Sequence, residues 1–409
     1  MNVIKQIRQF NAGREPERLA LKYRNMRSDP FVFLRATCHL FYAQLPLEPV
    51  LRRVPVAWAC GDLHLENVGS YKGDNRQVYF DLNDFDEALL APLTWDPVRC
   101  LTSILVGRHG MRLGARADAV AQELCEVFLN AYAQALADGK ARWVERETAP
   151  PPVSDLLQAV RSRQRPEFLD TRTLLQGRRR RIRIDGRKAL AATPGQRERV
   201  MAFFRDFAAR QPVPRFFDVL DVARRIAGNG SLGVDRYIVL VRGKGSPDGN
   251  YLLDLKQAVP SSLLPRVPIT QPRWADEAQR VVTIQRRMQA IAMAFLHPVQ
   301  MGGGPYVLRG LQPSEDRVAL AYTRHPVALL RNVATVMGQC LAWAQLRSSG
   351  RGGSAMADEL IDFGSRQKWR AKLMEIARHC ASQAELDWKV FGAAYDDGEF
   401  GPPLEQDKG

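Results

Sequence analysis

At 409 residues the chain is too long for one small core and implies two domains or lobes; its 45% hydrophobic and 25% charged content excludes a fibrous or disordered chain. Six cysteines, none in a C-x-x-C pair, argue against a zinc site or a disulfide framework and for a reducing, cytoplasmic setting. A formal charge of +15 calls for anionic partners or a basic surface, no apolar run reaches the roughly 18 residues of a membrane span, and the N-terminus lacks an apolar secretory core.

In chain order, PFVFLRATCHLFYAQL (30–45) reads as a helix. PVAWACGDLH reads as a strand running into a loop, and QVYFDLNDFD as a second strand, with Gly73-Asp74-Asn75 as the turn between them. Helical periodicity follows at 97–108 and 115–138, then a Pro-rich break at 146–153. Residues 161–192 hold most of the positive excess. There RIRIDGRKAL alternates apolar and basic residues around Asp185-Gly186, which predicts a type I′ hairpin with one wet face. No aromatics interleave these arginines as a single-strand stacking platform requires, so a solvated hairpin is preferred to a phosphate-rich substrate surface, and nucleic acid is disfavoured. A helix at GQRERVMAFFRDFAAR precedes three strands over 221–258, a long helix over about 274–296, a strand at 305–313 and helices over 326–393 interrupted by RSSGRGGSA. The C-terminal aromatics Trp369, Trp388, Phe391 and Tyr395 sit at helical spacing and read as core.

The chemistry concentrates in CGDLHLENVGSYKGDNRQVYFDLNDFDEA. Asp62, His64 and Asn67 follow an apolar strand, and Asp84 and Asp86 end the next one, beside Asp81 and Asn83. Mg²⁺ is held by one or two carboxylates plus substrate phosphates, and Asn67 and Asp84 offer that oxygen coordination. Asp62 is placed to accept a proton from an attacking hydroxyl, and His64 to order the loop by hydrogen bonding. Singly, each of these acids would more often cap a turn. The compound pattern G-D-x-H-x-x-N followed by D-F-D carries the reading.

GDLHLEN followed by DFDEA resembles the aminoglycoside phosphotransferase and choline kinase branch of the protein-kinase-like superfamily. The resemblance implies ATP and Mg²⁺ as cofactors, Asp62 as catalytic base, and Asn67 and Asp84 as metal ligands with Asp81 as a rival for the second place. It also implies Asp96, in TWDPVR, as a structural support of the loop. More closely, KYRNMRSDPFVFLRAT, CGDLHLENVG, FDLNDFDEALLAPLTWDPVR, GNGSLGVDRYIVL, QRVVTIQRRMQA and YVLRGLQP are similar to successive blocks of the bacterial DUF2252 family of uncharacterised proteins. AWAQLRSSGR departs from that family, with Gln345 standing where many members carry a histidine.

Only 61 residues precede Asp62, and they hold no Gly-rich hairpin. GNGSLG supplies Gly228, Gly230, Ser231 and Gly233 downstream, with Lys256 on the third strand and Glu277 as the acidic partner expected for that lysine. No helix opens directly after this G-x-G-x-x-G, which argues for a β-hairpin over phosphates rather than a dinucleotide fold. The expectation is therefore an α+β, two-lobed, circularly permuted kinase-like fold. The catalytic half would span 1–215, the nucleotide lobe 216–313, and a helical segment 314–409 would complete the large lobe. The activity expected is transfer of a phosphoryl group to a hydroxyl-bearing substrate, for which an anionic compound suits the basic surface. Nucleotidyl transfer, a metal-dependent phosphoesterase using Asp62, His64 and Asp84, and a non-catalytic polyanion binder using the arginines at 178–181 are the alternatives.

Overall fold

The computed structural model describes residues 1–313, 316–317 and 326–401. Caps set the first helices. Asn2 accepts from Lys5 N–H ahead of α1 (Val3–Phe10), Pro16 opens α2 (Pro16–Ser28), and Asp29 accepts from Phe31 and Val32 N–H ahead of α3 (Pro30–Ala36). Thr37 separates α3 from α4 (Cys38–Ala43), so the single helix expected over 30–45 is two.

The acidic region forms four short strands: β1 (Val56–Ala59), β2 (Val68–Lys72), β3 (Val78–Leu82) and β4 (Leu89–Pro92). The turn at 73–77 joins β2 to β3, with Val68 opposite Leu82, while β1 pairs antiparallel with β4. The predicted pairing of β1 with β3 is thus corrected: the 60–67 loop separates β1 from the hairpin, and a different strand, VGSYK, lies against VYFDL. Next come α5 (Trp95–Gly107), α6 (Ala117–Ala137), α7 (Val153–Ser162) and α8 (Arg165–Asp170).

The basic segment forms a hairpin, but upstream of its predicted place. β5 (Thr173–Gln176) and β6 (Arg179–Ile182) pair around Gly177-Arg178. Asp185 instead accepts backbone N–H groups of Arg187, Lys188 and Ala189 (2.6–3.2 Å), closing a local turn that releases β7 (Ala189–Ala191) to β8.

α9 (Pro194–Ala209) starts at a Thr193–Gln196 capping box. The strands β8 (Val219–Arg225), β9 (Arg236–Val241) and β10 (Tyr251–Gln257) follow as an antiparallel meander, then α10 (Glu277–Met288), β11 (His297–Met301) and β12 (Gly304–Gly310). Together they make a six-stranded antiparallel sheet of order β11-β12-β10-β9-β8-β7. The helix expected over 274–296 ends at Met288 because the following chain is drawn onto the β2–β3 hairpin. Ala290 N–H donates to Asp81 (3.0 Å), Asp74 N–H to Ala292 O (2.9 Å) and Ala294 N–H to Lys72 O (3.0 Å).

Alternation along the meander gives the sheet two unlike faces. Val222, Tyr237, Val239, Leu253 and Leu255 pack on Phe203, Phe204 and Phe207 of α9. On the other face Ala223, Ile238, Leu240 and Leu252 meet Leu169, Ile182 and Ala189, and the same face continues into charged residues toward Lys256.

The larger core unites α3–α6, β1–β4 and α10 with α11 (Val327–Ser348), α12 (Ala357–Ser365) and α13 (Lys368–Asp396). By length and composition α11 could cross a membrane, although its sequence is broken by arginines; 56% of that stretch is buried inside the protein, where the helix packs along α6. Gln345 is buried on α11, accepting from the Tyr132 hydroxyl (2.7 Å). The chain is therefore an α+β protein in which one antiparallel sheet meets a largely helical body.

Candidate active site

Two acidic loops meet beneath the sheet. The first, Cys60–Asn67, is hung from α5: Asp96 accepts Cys60 N–H and Gly61 N–H, both at 2.9 Å. Burial pushes the Asp96 carboxyl up to about 6 against these hydrogen bonds. The Tyr42 hydroxyl holds Gly61 O from the other side (2.6 Å). Gly61 itself has φ +84°, and a Cβ there would lie 2.4 Å from Glu87 O, so only glycine lets the second loop cross the first.

Arg99, fully buried on α5, donates through Nε (2.9 Å) and Nη2 (2.8 Å) to one oxygen of Asp62 and through Nη2 to Leu34 O (2.7 Å). Burial raises the Asp62 carboxyl above its usual value, and Arg99 opposes that rise. A carboxylate anchored by one oxygen and raised in basicity is suited to take up a proton. Asn67 turns its Nδ2 to Asp62 O (2.7 Å), and its Oδ1 has no donor among the described residues. His64 is buried. Its Nδ1 accepts from Glu66 N–H (3.1 Å), which leaves the proton on Nε2; burial, with Arg35, Arg99 and Arg317 nearby, holds the imidazole neutral.

The second loop carries Asp84, Asp86 and Glu87 into the same cleft. Burial would raise the Asp84 carboxyl, but Lys256, Arg309, Arg236 and Arg317 hold it below the ordinary carboxylate value. Glu87 is fixed by Ser262 N–H (2.6 Å) and the Ser261 hydroxyl (3.1 Å), and burial raises it.

From above, β10 brings Lys256 and the β8–β9 connection brings Gly228, Gly230 and Ser231 to the cleft wall. Gly233 ends that connection at φ +86°, where a Cβ would come 2.8 Å from Arg14 Cβ. The connection is tied to the N-terminal helices: Arg14 donates to Gly230 O (2.7 Å) and Leu232 O (3.1 Å), buried Lys22 to Gly230 O (3.0 Å), and Asn25 to Asn229 Oδ1 (3.1 Å).

Lys256 pairs with Asp86 rather than with the expected Glu277. Glu277 is taken by Arg280 of its own helix (2.5 Å), and Arg280 in turn donates to Asp86 O (2.8 Å) and Val259 O (3.0 Å). The helix thus reaches the lysine's partner through an arginine and a backbone carbonyl. Asp81 also stands apart from the cleft. It is buried against Arg347 (2.9 Å) and Ala290 N–H (3.0 Å), so the two contenders for the metal-ligand place are in different surroundings.

Beside Lys256 the sheet face is charged. Asp254 is fully buried and is met by Arg236 (2.8 and 2.7 Å), Arg225 (2.8 Å) and Arg309 (3.2 Å). Three guanidinium groups on one carboxylate leave a positive excess against the cleft.

Among the described residues no group of three or more His, Cys, Asp and Glu side chains is arranged to hold a metal alone. Asn67 Oδ1 and the ionised Asp84 are two hard oxygen donors, which fits a Mg²⁺ ion completed by water and substrate phosphates. Sequence reading did not single out Arg14, Lys22, Arg35, Arg99, Glu87 or Arg236 as site residues. Arg99 follows Asp96 by three positions, one helical turn, and Lys22 sits in the KYRNMRSDP block, so the spacing signal was present.

The fold and site define an α+β protein with a glycine-bearing hairpin and a lysine strand closing over paired acidic loops. The chain belongs to the bacterial family DUF2252, described as an uncharacterised protein conserved in bacteria, whose model matches residues 14–394. No curated protein and no solved structure matches the chain.

Proposed function

We propose that the chain is an ATP- and Mg²⁺-dependent phosphotransferase of circularly permuted, protein-kinase-like architecture. The observation that carries this reading is the convergence of Asp62, Asn67, Asp84, Lys256 and the 228–231 loop on one cleft. The order of elements supports it: a three-stranded meander with a glycine turn first and a lysine third, then a helix, then two strands that close the sheet.

In the proposed reaction the acceptor hydroxyl attacks the γ-phosphorus of ATP as Asp62 takes the hydroxyl proton; the bond to the bridging oxygen breaks and ADP leaves with its electron pair. Arg99 holds Asp62 in place by one oxygen. Lys256 and the backbone of the 228–231 loop grip phosphates, and Asn67 and Asp84 hold the metal, which when bound neutralises phosphate charge. The Asp254–arginine cluster adds positive potential on the same side. The apolar half of this sheet face is already covered by Leu169 and Ile182, so the charged half is the surface left for the donor's phosphates.

The cleft encloses about 80 Å³, against roughly 300 Å³ for the smaller ligand pockets. Nucleotide entry therefore requires the 228–231 loop to lift from Arg14, Lys22 and Asn25. A phosphoesterase reading leaves Lys256 and this loop without a task. Hydrolysis or transfer of γ-³²P from ATP, tested with Asp62→Asn beside wild type, checks the proposal: activity unchanged in the variant contradicts it.

A further inference from the structure

A second cavity, of about 360 Å³, opens at the far end of β10 from Lys256. Leu252 lines it, and the four residues from there to Lys256 span roughly 13 Å of strand. Its volume is that of a small-molecule site. The hairpin β2–β3, the α7–α8 junction, the start of β10 and the chain leaving β12 all contribute to its wall.

The wall is aromatic and cationic at once. Arg165 lies 3.6 Å from the Tyr251 ring centroid, Arg76 5.7 Å from Phe295 and Arg163 5.8 Å from Phe168. Arg163 is committed to Asp316 (2.6 Å). Lys72, Arg76, Arg165 and Lys244 make no ion pair among the described residues, unlike the arginines around Asp254. Partial desolvation lowers the Lys72 ammonium, the neighbouring Arg165 and Arg163 lower it further, and Asp316 opposes them. Asn250, 0% exposed, also lines the cavity. Its Nδ2 donates to Arg242 O and Ser246 Oγ (2.9 Å each), and its Oδ1 is buried without a donor.

We propose that this cavity binds a small organic anion built on a flat ring, an aromatic carboxylate or phosphate. Its ring lies among Tyr251, Phe168 and Phe295, and its charge is met by Lys72, Arg165 and Lys244. The site is independent of the phosphotransfer reading.

Calorimetric titration of the full chain with 1-naphthyl phosphate, 1-naphthol and inorganic phosphate tests this. The expected result is saturable binding of 1-naphthyl phosphate, with the neutral ring and the bare anion each weaker by about tenfold or more. Lys72→Glu and Arg165→Glu should each weaken it by about tenfold or more, while Lys256→Ala leaves it unchanged. Lys72 is exposed, so Lys72→Glu keeps the test open should Arg165→Glu fail to fold. Equal affinity in the folded variants, loss in Lys256→Ala, or no saturable binding overturns the proposal.

Discussion

Lys256 of β10 and Asp86 of the second acidic loop form an ion pair across 170 residues of chain. The lysine is nearly buried (6% exposed) and the aspartate only partly (32%), so the pair sits at the wall of the cleft with its acidic side open. Asp86→Ala leaves the nearly buried ammonium without its ion-pair partner and facing Asp84 alone, which costs about 1–3 kcal/mol. Urea unfolding of the variant should show that loss; a midpoint equal to wild type means the pair does not anchor the sheet to the acidic loops.

Arg99 tunes Asp62. Burial raises the Asp62 carboxyl and Arg99 opposes it, so ionising Asp62 in the folded protein is harder than in the unfolded chain. The corresponding stability is fully present below the unfolded-state value and is lost as pH rises through the folded-state value. A base must be ionised, so activity should rise with pH along a limb displaced above the ordinary aspartate range. Arg99→Leu should move that limb to still higher pH, and Arg99→Lys should restore part of the shift. A limb that stays in place in both variants would separate Asp62 from catalysis.

Asp254 is the counter-charge of the sheet's polar half. Burial would raise its carboxyl, but Arg225 and Arg236, with Arg309, hold it well below the usual carboxylate value. Its contribution is therefore present above the unfolded-state value near 3.9 and lost as pH falls through the folded-state value. Asp254→Ala sets the buried guanidinium groups of Arg225 and Arg236 and the partly buried one of Arg309 against one another and should cost about 3–5 kcal/mol, read by chemical unfolding at neutral pH. A cost under about 1 kcal/mol, the size of a surface pair, would show that solvent reaches the cluster.

Gly61 is where the two acidic loops cross. Gly61→Ala faces both a left-handed backbone and a Cβ 2.4 Å from Glu87 O. The backbone alone costs about 1–3 kcal/mol, and relief of the clash must displace Glu87 or Asp62. The expected result is a lower melting temperature together with loss of phosphoryl transfer. A folded Gly61→Ala protein with full activity would mean that the two loops need not be in contact.

Local pattern revealed the acidic loops, the 73–75 turn, the three-stranded meander and the position of Lys256, because each is written in contiguous residues with turn chemistry or period-2 burial. Membership of DUF2252 was legible for the same reason, in blocks that keep their order along the chain. Pairings between distant segments were not. β1 pairs with β4 rather than β3 because the 60–67 loop, suspended from Asp96, separates β1 from the hairpin. Asp86 and Glu277 are both acids near the right elements; the i,i+3 spacing of Arg280 to Glu277 is a local signal that Glu277 is occupied, whereas Asp86 meets Lys256 only across 170 residues of chain. The hairpin misplaced at Asp185-Gly186 had a good turn sequence, but backbone donors to Asp185 and the pull of β8 on Ala189 decided otherwise. The buried cations Lys22 and Arg99 are helix residues whose partners lie far along the chain, so their roles emerge only in three dimensions.

The most direct test of the central claim is calorimetric titration of Mg²⁺·ATP into wild type, Lys256→Ala and Asp84→Ala, with folding of each variant checked by circular dichroism. Saturable binding to wild type is expected, weakened by about tenfold or more in both variants, since two segments distant in sequence form one phosphate site. A folded wild type that binds no nucleotide at about millimolar ligand, or variants that bind as wild type does, would contradict it.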